Sequence, residues 1–208
     1  MGTLATLLSW FGSGTGSATR EVTYRRATMR DSHAAAQVNV QSWRESFGGI
    51  RPQAVLDSMT IEQRYRMFRQ RFKDPAYRMF VAQRSDEGVI GFVDFGPPRE
   101  DKHHSAEICA LYVLSAFQRQ GIGSRLFMMV VDAMLAEGND SLCLIVLDDS
   151  PFRAFYEKLG GRQIARGEAN ERHEAFVMYG WSDVRRIRDL LRRERTDGSA
   201  HAPNVLAG

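Results

Sequence analysis

The chain has 208 residues, 43% hydrophobic, 25% charged and 10% aromatic, the mixture of an ordinary soluble globular protein of one domain or at most two small ones. Its two cysteines, Cys109 and Cys143, exclude a disulfide scaffold and a cysteine-rich zinc fold, and a chain of this size buries roughly 70% of its unfolded surface without such staples. The net charge of +3 gathers at the end, where residues 183–208 hold six arginines against Asp183, Asp189, Glu194 and Asp197; the near-neutral body argues against a nucleic-acid coat.

Residues 1–11 are apolar and run into the flexible Gly12–Ser17 stretch, so residues 1–21 are expected to be a leader outside the folded domain. No Lys or Arg precedes that apolar stretch, as a signal peptide would require, although Met1-Gly2 with Thr6 meets the permissive myristoylation pattern. No apolar run approaches the ~20 residues that span a bilayer, and a cytoplasmic protein is expected. Residues 22–26 alternate as a short strand. Asp31 is expected to cap a helix running through Trp43, and Gly48-Gly49 to break it. Helical spacing resumes over 60–72 through Ile61, Tyr65, Phe68 and Phe72. Strands are predicted at 79–83 and 89–95 around Ser85-Asp86-Glu87-Gly88, with a loop at 97–104 and a buried strand at 106–114. Leu126, Phe127, Val130, Val131 and Met134 form the apolar stripe of a helix over 123–137, with Gly138 just beyond it. A strand at 142–147, a short proline-started helix at 151–159 and strands at 162–166 and 175–181 follow. This order denotes an α/β domain with a mixed sheet over residues 22–182. A helix is expected at 183–195, with Val184, Ile187, Leu190 and Leu191 on one face, then a frayed tail at 196–208. Its apolar face could pack on its own domain or on a second copy in a homodimer, and its arginines could touch RNA.

The most informative stretch runs from Ala110 to Ser124. A buried strand enters a loop bearing Gln118, Gly121 and Gly123, and the loop becomes the first turn of an apolar helix. Such a junction aims unpaired backbone N–H groups and the positive helix end at one spot, ready for phosphate. The spacing is neither that of a dinucleotide fingerprint, because position 126 is Leu, nor that of a P-loop.

With its flanks, Gln118-x-x-Gly121-x-Gly123 resembles the acetyl-CoA loop of the GNAT acetyltransferases. Tyr24–Asp31 and Ser42-Trp43-Arg44 resemble the first strand and helix of that family. Phe155-Tyr156-Glu157-Lys158-Leu159-Gly160-Gly161 resembles its second cofactor segment, and Met178-Tyr179-Gly180-Trp181 its last strand. The resemblance covers about residues 22–182. It implies a mostly antiparallel sheet of about seven strands, splayed between the fourth and fifth near Val113 and Leu147 and flanked by four helices. It also implies direct acetyl transfer from acetyl-CoA to an amine, with no metal. Leu111, Tyr112 and Val113 would bond the pantetheine arm, and Arg119, Gly121, Ile122, Gly123 and Ser124 the pyrophosphate. Gln118 and Gln120 would lie on the loop rim. Ser150 stands where the family commonly has asparagine, which puts its bond to the pantetheine in doubt.

Tyr156 resembles the tyrosine that faces the CoA sulfur and serves as general acid; a phenol has a proton to give at neutral pH. Glu107 is the one acid in the apolar strand 106–114, where desolvation favours a base of useful pKa, and its spacing resembles the base of the histone-acetyltransferase branch; the other readings are a carboxylate paired with an arginine or with His103/His104, and a water chain as the base. Cys109 and Cys143 read as core, and His103-His104 as a solvated pair in a charged loop. Residues 43–59 and 167–173 are expected to form the acceptor side. Glu45, Glu168 and Glu171 there would favour a cationic amine, on a small molecule or on a protein. The rival readings are a non-catalytic acyl-CoA sensor and a ribosome-directed or RNA-associated protein acting through the arginine helix.

Overall fold

A computed structural model describes residues 21–99, 101–169 and 174–191. Residues 1–20, 100, 170–173 and 192–208 lie outside the described residues, and with them the expected leader and tail, Glu171 and the last three arginines of the expected helix. Seven strands form one sheet: β1 (Val22–Arg26), β2 (Arg78–Arg84), β3 (Gly88–Gly96), β4 (Ala106–Val113), β5 (Leu142–Leu147), β6 (Arg162–Ala169) and β7 (Glu174–Trp181). Their order is β1-β2-β3-β4-β5-β7-β6. All neighbours are antiparallel except β4 and β5.

Helices α1 (Ser32–Phe47), α2 (Gln53–Asp57), α3 (Ile61–Arg71), α4 (Ile122–Ala136) and α5 (Arg153–Lys158) flank the sheet. Among the described residues, five helices flank the sheet between β1 and β6 where four were expected. The addition is α2, a single short turn of helix in a segment too brief to show periodicity. Residues 185–191 are helical as well.

One sheet face is covered by α4, whose Ile122, Leu126, Phe127, Val130, Val131 and Met134 pack on Ile90, Val93, Phe95, Ile108, Leu142 and Leu144. The other face carries α1 and α3, where Ala35, Ala36, Val38 and Phe68 meet Met79, Val81 and Phe92. A smaller cluster of Trp43, Phe47 and Leu56 leans on Leu147 of β5. Helix α4 ends in a Schellman cap: Gly138 is left-handed (φ +77°), its N–H donates to the Leu135 carbonyl (3.2 Å) and that of Asn139 to Met134 (2.9 Å).

Asp31 does sit ahead of α1, but its side chain caps nothing in that helix. Its carboxylate instead accepts from both terminal nitrogens of Arg25 (2.9 and 2.7 Å) and from the Thr28 N–H (2.8 Å), fastening β1 to the helix start. Val184, Ile187 and Leu191 are buried in the main core, while Leu190 is 40% exposed. The apolar stripe expected at the end of the chain is therefore spent on its own domain, one residue narrower than its pattern.

Candidate active site

The site begins with a one-residue irregularity. In the β3–β4 ladder Asp94 pairs with Ala110 and Phe95 with Ile108, so Cys109 is an extra residue and β4 bulges there. The side-chain alternation changes parity across it. Ala106 and Ile108 belong to the α4 face, and so do Leu111 and Val113, whereas Ala110 and Tyr112 turn to the α1/α3 face. Pairing of β4 with β5 stops at the same place, covering only Ala106–Ile108 against Leu142–Leu144. Beyond it the two strands part, and β5 stays paired to β7 as far as Leu147. The β5-facing backbone of residues 109–113 is left without a strand partner. Such an edge accepts an extended chain bearing amides.

Strand β4 leads through a short turn at Ser115–Phe117 into the start of α4. Arg119 and Gly121 both adopt left-handed backbone (φ +58° and +80°), which alternates the peptide planes and turns N–H groups into one hollow. No side chain caps the first turn of α4, so its amides and the positive end of a 15-residue helix face that hollow. A Cβ at Gly123 would sit 3.7 Å from the Phe155 ring, so the residue keeps an approach to the amides open.

These parts enclose a cavity of about 470 Å³. Leu111, Tyr112 and Val113 line one wall, Arg119, Gly121, Gly123 and Ser124 one end, and Phe152, Phe155, Tyr156 and Lys158 of the α5 segment the other wall. Tyr156 is buried, 5.2 Å from the Phe155 ring centre and 6.2 Å from that of Tyr179. Burial, with Tyr112 beside it, pushes the phenol well above its ordinary range, so it holds its proton. Helix α1 closes the cavity with Ser42 and Ser46, four residues apart on one face. Neither serine is expected from the sequence as a site residue, although Asn39 and Ser42 are polar interruptions on a helix face otherwise made of Ala35, Val38 and Trp43. Arg51 lies over the Trp43 and Phe47 rings (5.6 and 5.3 Å) and pairs with Asp149 (3.0 Å) and Glu174. It ties the α1–α2 segment to the far side of the splay.

Of the expected cofactor residues, Leu111, Tyr112, Val113, Gln118, Arg119, Gly121, Gly123 and Ser124 converge on this cavity. Gln118 is more than a rim residue: its amide donates to the Val113 carbonyl (2.9 Å), occupying one acceptor of the open strand edge. Gln120 points away and donates to Ala116 (3.1 Å). The Ile122 side chain is in the core, which leaves only its backbone to the site. Ser150 accepts from the Phe152 N–H (3.3 Å) and starts the α5 turn instead of lining the cavity.

Glu107 is not brought to the cavity. It lies at the closed end of β4, before the bulge, and is 1% exposed. Its carboxylate accepts from the Arg99 backbone N–H (2.8 Å) and from Nε (3.0 Å) and Nη2 of the Arg99 side chain. That bond holds the Arg99 guanidinium above its ordinary range.

His104 is likewise not solvated as expected, since its Nδ1 meets the Asp101 carboxylate (2.6 Å) in a half-buried pair. Asp101, His104 and Cys143 offer ligand atoms within 4.8 Å of one another, the one such group among the described residues. Cys143 also sits opposite Gly180 in the ladder, where a Cβ would lie 2.8 Å from His104 Nε2. Burial, with Glu107 and Asp101 nearby, pushes the Cys143 thiol up to about 12, so it persists as a neutral thiol. This cluster sits behind the sheet's closed end, away from the cavity.

Fold and site together define a splayed-sheet acyltransferase architecture. A family model described as the Acetyltransferase (GNAT) family matches residues 40–161. The uncharacterized N-acetyltransferase YuaI of Bacillus subtilis (strain 168) is 32% identical over 177 residues, 83% of this chain and 99% of that protein. Among solved structures, the PaiA N-acetyltransferase of Thermoplasma acidophilum in complex with coenzyme A superimposes with a TM-score of 0.63 at 18% identity, covering 77% of this chain and 99% of that one. An N-acetyltransferase of Staphylococcus aureus Mu50 gives 0.59 at 19% identity, covering 79% and 99%. The chain belongs to the GNAT family of N-acetyltransferases and is an acyltransferase. No described helix is long and apolar enough to cross a membrane.

Proposed function

We propose that this N-acetyltransferase moves an acetyl group from acetyl-CoA directly onto a primary amine, with Tyr156 as the general acid. The observation that carries the reading is the open β4 edge leading straight to the uncapped amide end of α4, with a buried phenol in the wall between them. The residues suit coenzyme A in order. The strand edge and Leu111, Phe152 and Phe155 match an amide-bearing alkyl arm. The α4 amides with Arg119 and Lys158 match a polyanion. When bound, acetyl-CoA supplies an activated thioester whose C–S bond breaks as the C–N bond forms.

The chain's own part is to align and to handle two protons. Tyr156 donates its hydroxyl proton to the departing sulfur, and burial keeps that proton in place until it is needed. The amine's proton leaves on the α1 side, past the Ser42 and Ser46 hydroxyls, to solvent. Glu107, the base expected from sequence, is given no proton to take here. Both its oxygens serve Arg99, and it stabilises the loop that crosses the closed end of β4.

The test is thiol release from acetyl-CoA across a panel of amines, with Tyr156→Phe beside the natural chain. The expected result is a fall in kcat of about 100-fold or more with CoA affinity held within about threefold. Equal loss of both would remove Tyr156 as the acid. Tight CoA binding with no turnover of any amine would favour the sensor reading instead.

A further inference from the structure

The closed end of the sheet carries side chains that acetyl transfer does not use. Strand alternation sets Glu107, Cys143 and Gly180 in a row across β4, β5 and β7 on the face turned from α4, because their neighbours Ala106, Ile108, Leu142, Leu144, Tyr179 and Trp181 all belong to the α4 core. Helices α1 and α3 pack on β2 and β3 instead. The row is roofed by the loop between β3 and β4.

That roof is polar. Arg99 settles on Glu107 and occupies both its oxygens. His104 settles on Gly180: its Nε2 and Cε1 lie 2.8 and 3.1 Å from where a Cβ would stand, so the ring takes the space that any other residue would fill. Cys143, fully buried, is the residue opposite Gly180 in the ladder. Opposed residues of an antiparallel pair stand about 5 Å apart, which brings the thiol alongside the imidazole. Asp101 completes the cluster. One carboxylate oxygen lies 2.6 Å from His104 Nδ1, and the other accepts from the His103 N–H (2.6 Å). The loop is anchored independently of these side chains, since the Ser105 N–H donates to the Ser141 carbonyl (3.1 Å) just ahead of β5.

Asp101, His104 and Cys143 thus present a carboxylate oxygen, a ring nitrogen and a sulfur within 4.8 Å of one another, with the Asp101 and His104 side chains only 9% and 12% exposed. This donor set suits zinc, whereas calcium and magnesium take oxygen alone. Tetrahedral zinc, with bonds of about 2.0 Å to nitrogen and oxygen and about 2.3 Å to sulfur, spaces its ligand atoms about 3.3–3.8 Å apart. The carboxylate and imidazole must part slightly and the sulfur close by at most about 1 Å, adjustments within reach of side chains on a loop. Asp101 and Glu107 stand near the sulfur against the single guanidinium of Arg99, a net negative setting for a dication.

We propose that Asp101, His104 and Cys143 form a zinc site that clips the β3–β4 loop onto β5, with solvent as the fourth ligand. On binding, the aquated ion sheds water, the Cys143 thiol gives its proton to solvent, and neutral His104 offers the lone pair of one ring nitrogen. The site is structural. It lies away from the cavity and holds the loop that carries Arg99 over the end from which the splay opens. It stands independently of the acetyl transfer proposed above.

The experiment takes the full chain without a histidine tag, strips it with a chelator, and titrates it with zinc and with cobalt(II). The expected result is one ion per chain and a melting temperature raised by zinc. Cobalt should give the near-ultraviolet charge-transfer band of a thiolate ligand together with the visible bands of a tetrahedral ion. Cys143→Ser should abolish the charge-transfer band and weaken binding at least about 100-fold. Asp101→Asn should weaken binding about 10-fold or more and keep the band at saturation, and Cys109→Ser should alter neither. If Cys143→Ser fails to fold, Asp101→Asn and the cobalt spectrum of the natural chain decide the matter. Binding well below one ion per chain, a cobalt spectrum lacking the thiolate band, or affinity unchanged in Cys143→Ser or Asp101→Asn would overturn the proposal. Each of these results leaves the acetyl-transfer reading intact, because CoA titration reports on the other end of the sheet.

Discussion

Three side chains show how position decides what a titratable group does. Asp31 is buried against Arg25, whose hydrogen bonds, with that of the Thr28 amide, hold its carboxyl at about 2 against an ordinary 3.8, although burial works the other way. A carboxyl whose folded pKa is depressed stabilises the fold above its unfolded value and loses that contribution as pH falls through the folded one. Asp31→Asn is therefore expected to cost about 1–2 kcal/mol at pH 7. Urea midpoints should show its deficit against the natural chain narrowing as pH drops from about 4 to about 2. Tyr156 is shifted in the opposite sense for its kind of group, since burial keeps the phenol neutral. Activity should rise with pH as the acceptor amine loses its proton, with no fall assignable to Tyr156 up to about pH 10; a pH–rate profile checks this. Glu107 is the third. With its oxygens on Arg99, Glu107→Gln is expected to lower stability by about 2 kcal/mol while reducing kcat far less than Tyr156→Phe. Denaturation and steady-state kinetics on the same samples separate the two effects.

At the scale of elements, the bulge in β4 and the glycine turn that opens α4 build the site, while a second glycine turn closes that helix. Gly121 and Gly138 flank the same helix with nearly equal φ (+80° and +77°), and a Cβ at either meets nothing within 4 Å. Gly121→Ala and Gly138→Ala should each cost about 1–2 kcal/mol of left-handed strain. Only the first should weaken CoA binding, because only it shapes the hollow; denaturation and CoA titration of both variants check the asymmetry. The sequence was informative where a pattern had length or chemistry behind it. Residues 142–147 were read to the residue as β5, and the glycines marked the α4 start, because apolar runs and turn residues leave a compositional trace. The bulge left none: one extra residue in a strand looks like any other, yet it sets the face of every side chain beyond it. For Glu107 the sequence left the surroundings open, since only the fold brings Arg99 over it and puts the splay beyond it. Ser42 and Ser46 were legible in principle, as polar residues one turn apart on a buried helix face.

On the scale of the whole molecule, the chain closes its core with its own end. Val184, Ile187 and Leu191 pack into the cluster that also holds α4 and Trp181, and the Val184 N–H donates to Asp140 (2.8 Å). Removing residues 184–208 is expected to cost about 5 kcal/mol through three lost aliphatic side chains, lowering the melting temperature sharply. An unchanged melting temperature would release that segment for a role elsewhere. The exposed Arg185 and Arg186 are what its other face offers, with Arg185 beside Asp183 (2.8 Å). Among the described residues the cavity gathers cations of its own, Arg119 and Lys158, apart from that segment.

The central claim is that the splay between β4 and β5, ending on the α4 amides, is the coenzyme A site. Calorimetric titration of CoA into the natural chain and into Gly123→Glu tests it most directly. The account predicts one CoA per chain, and at least a 100-fold loss of affinity, about 3 kcal/mol, when a carboxylate replaces the hydrogen facing the amides, with the fold's melting temperature preserved. Equal affinity in the two proteins, or no binding by the natural chain, would contradict it.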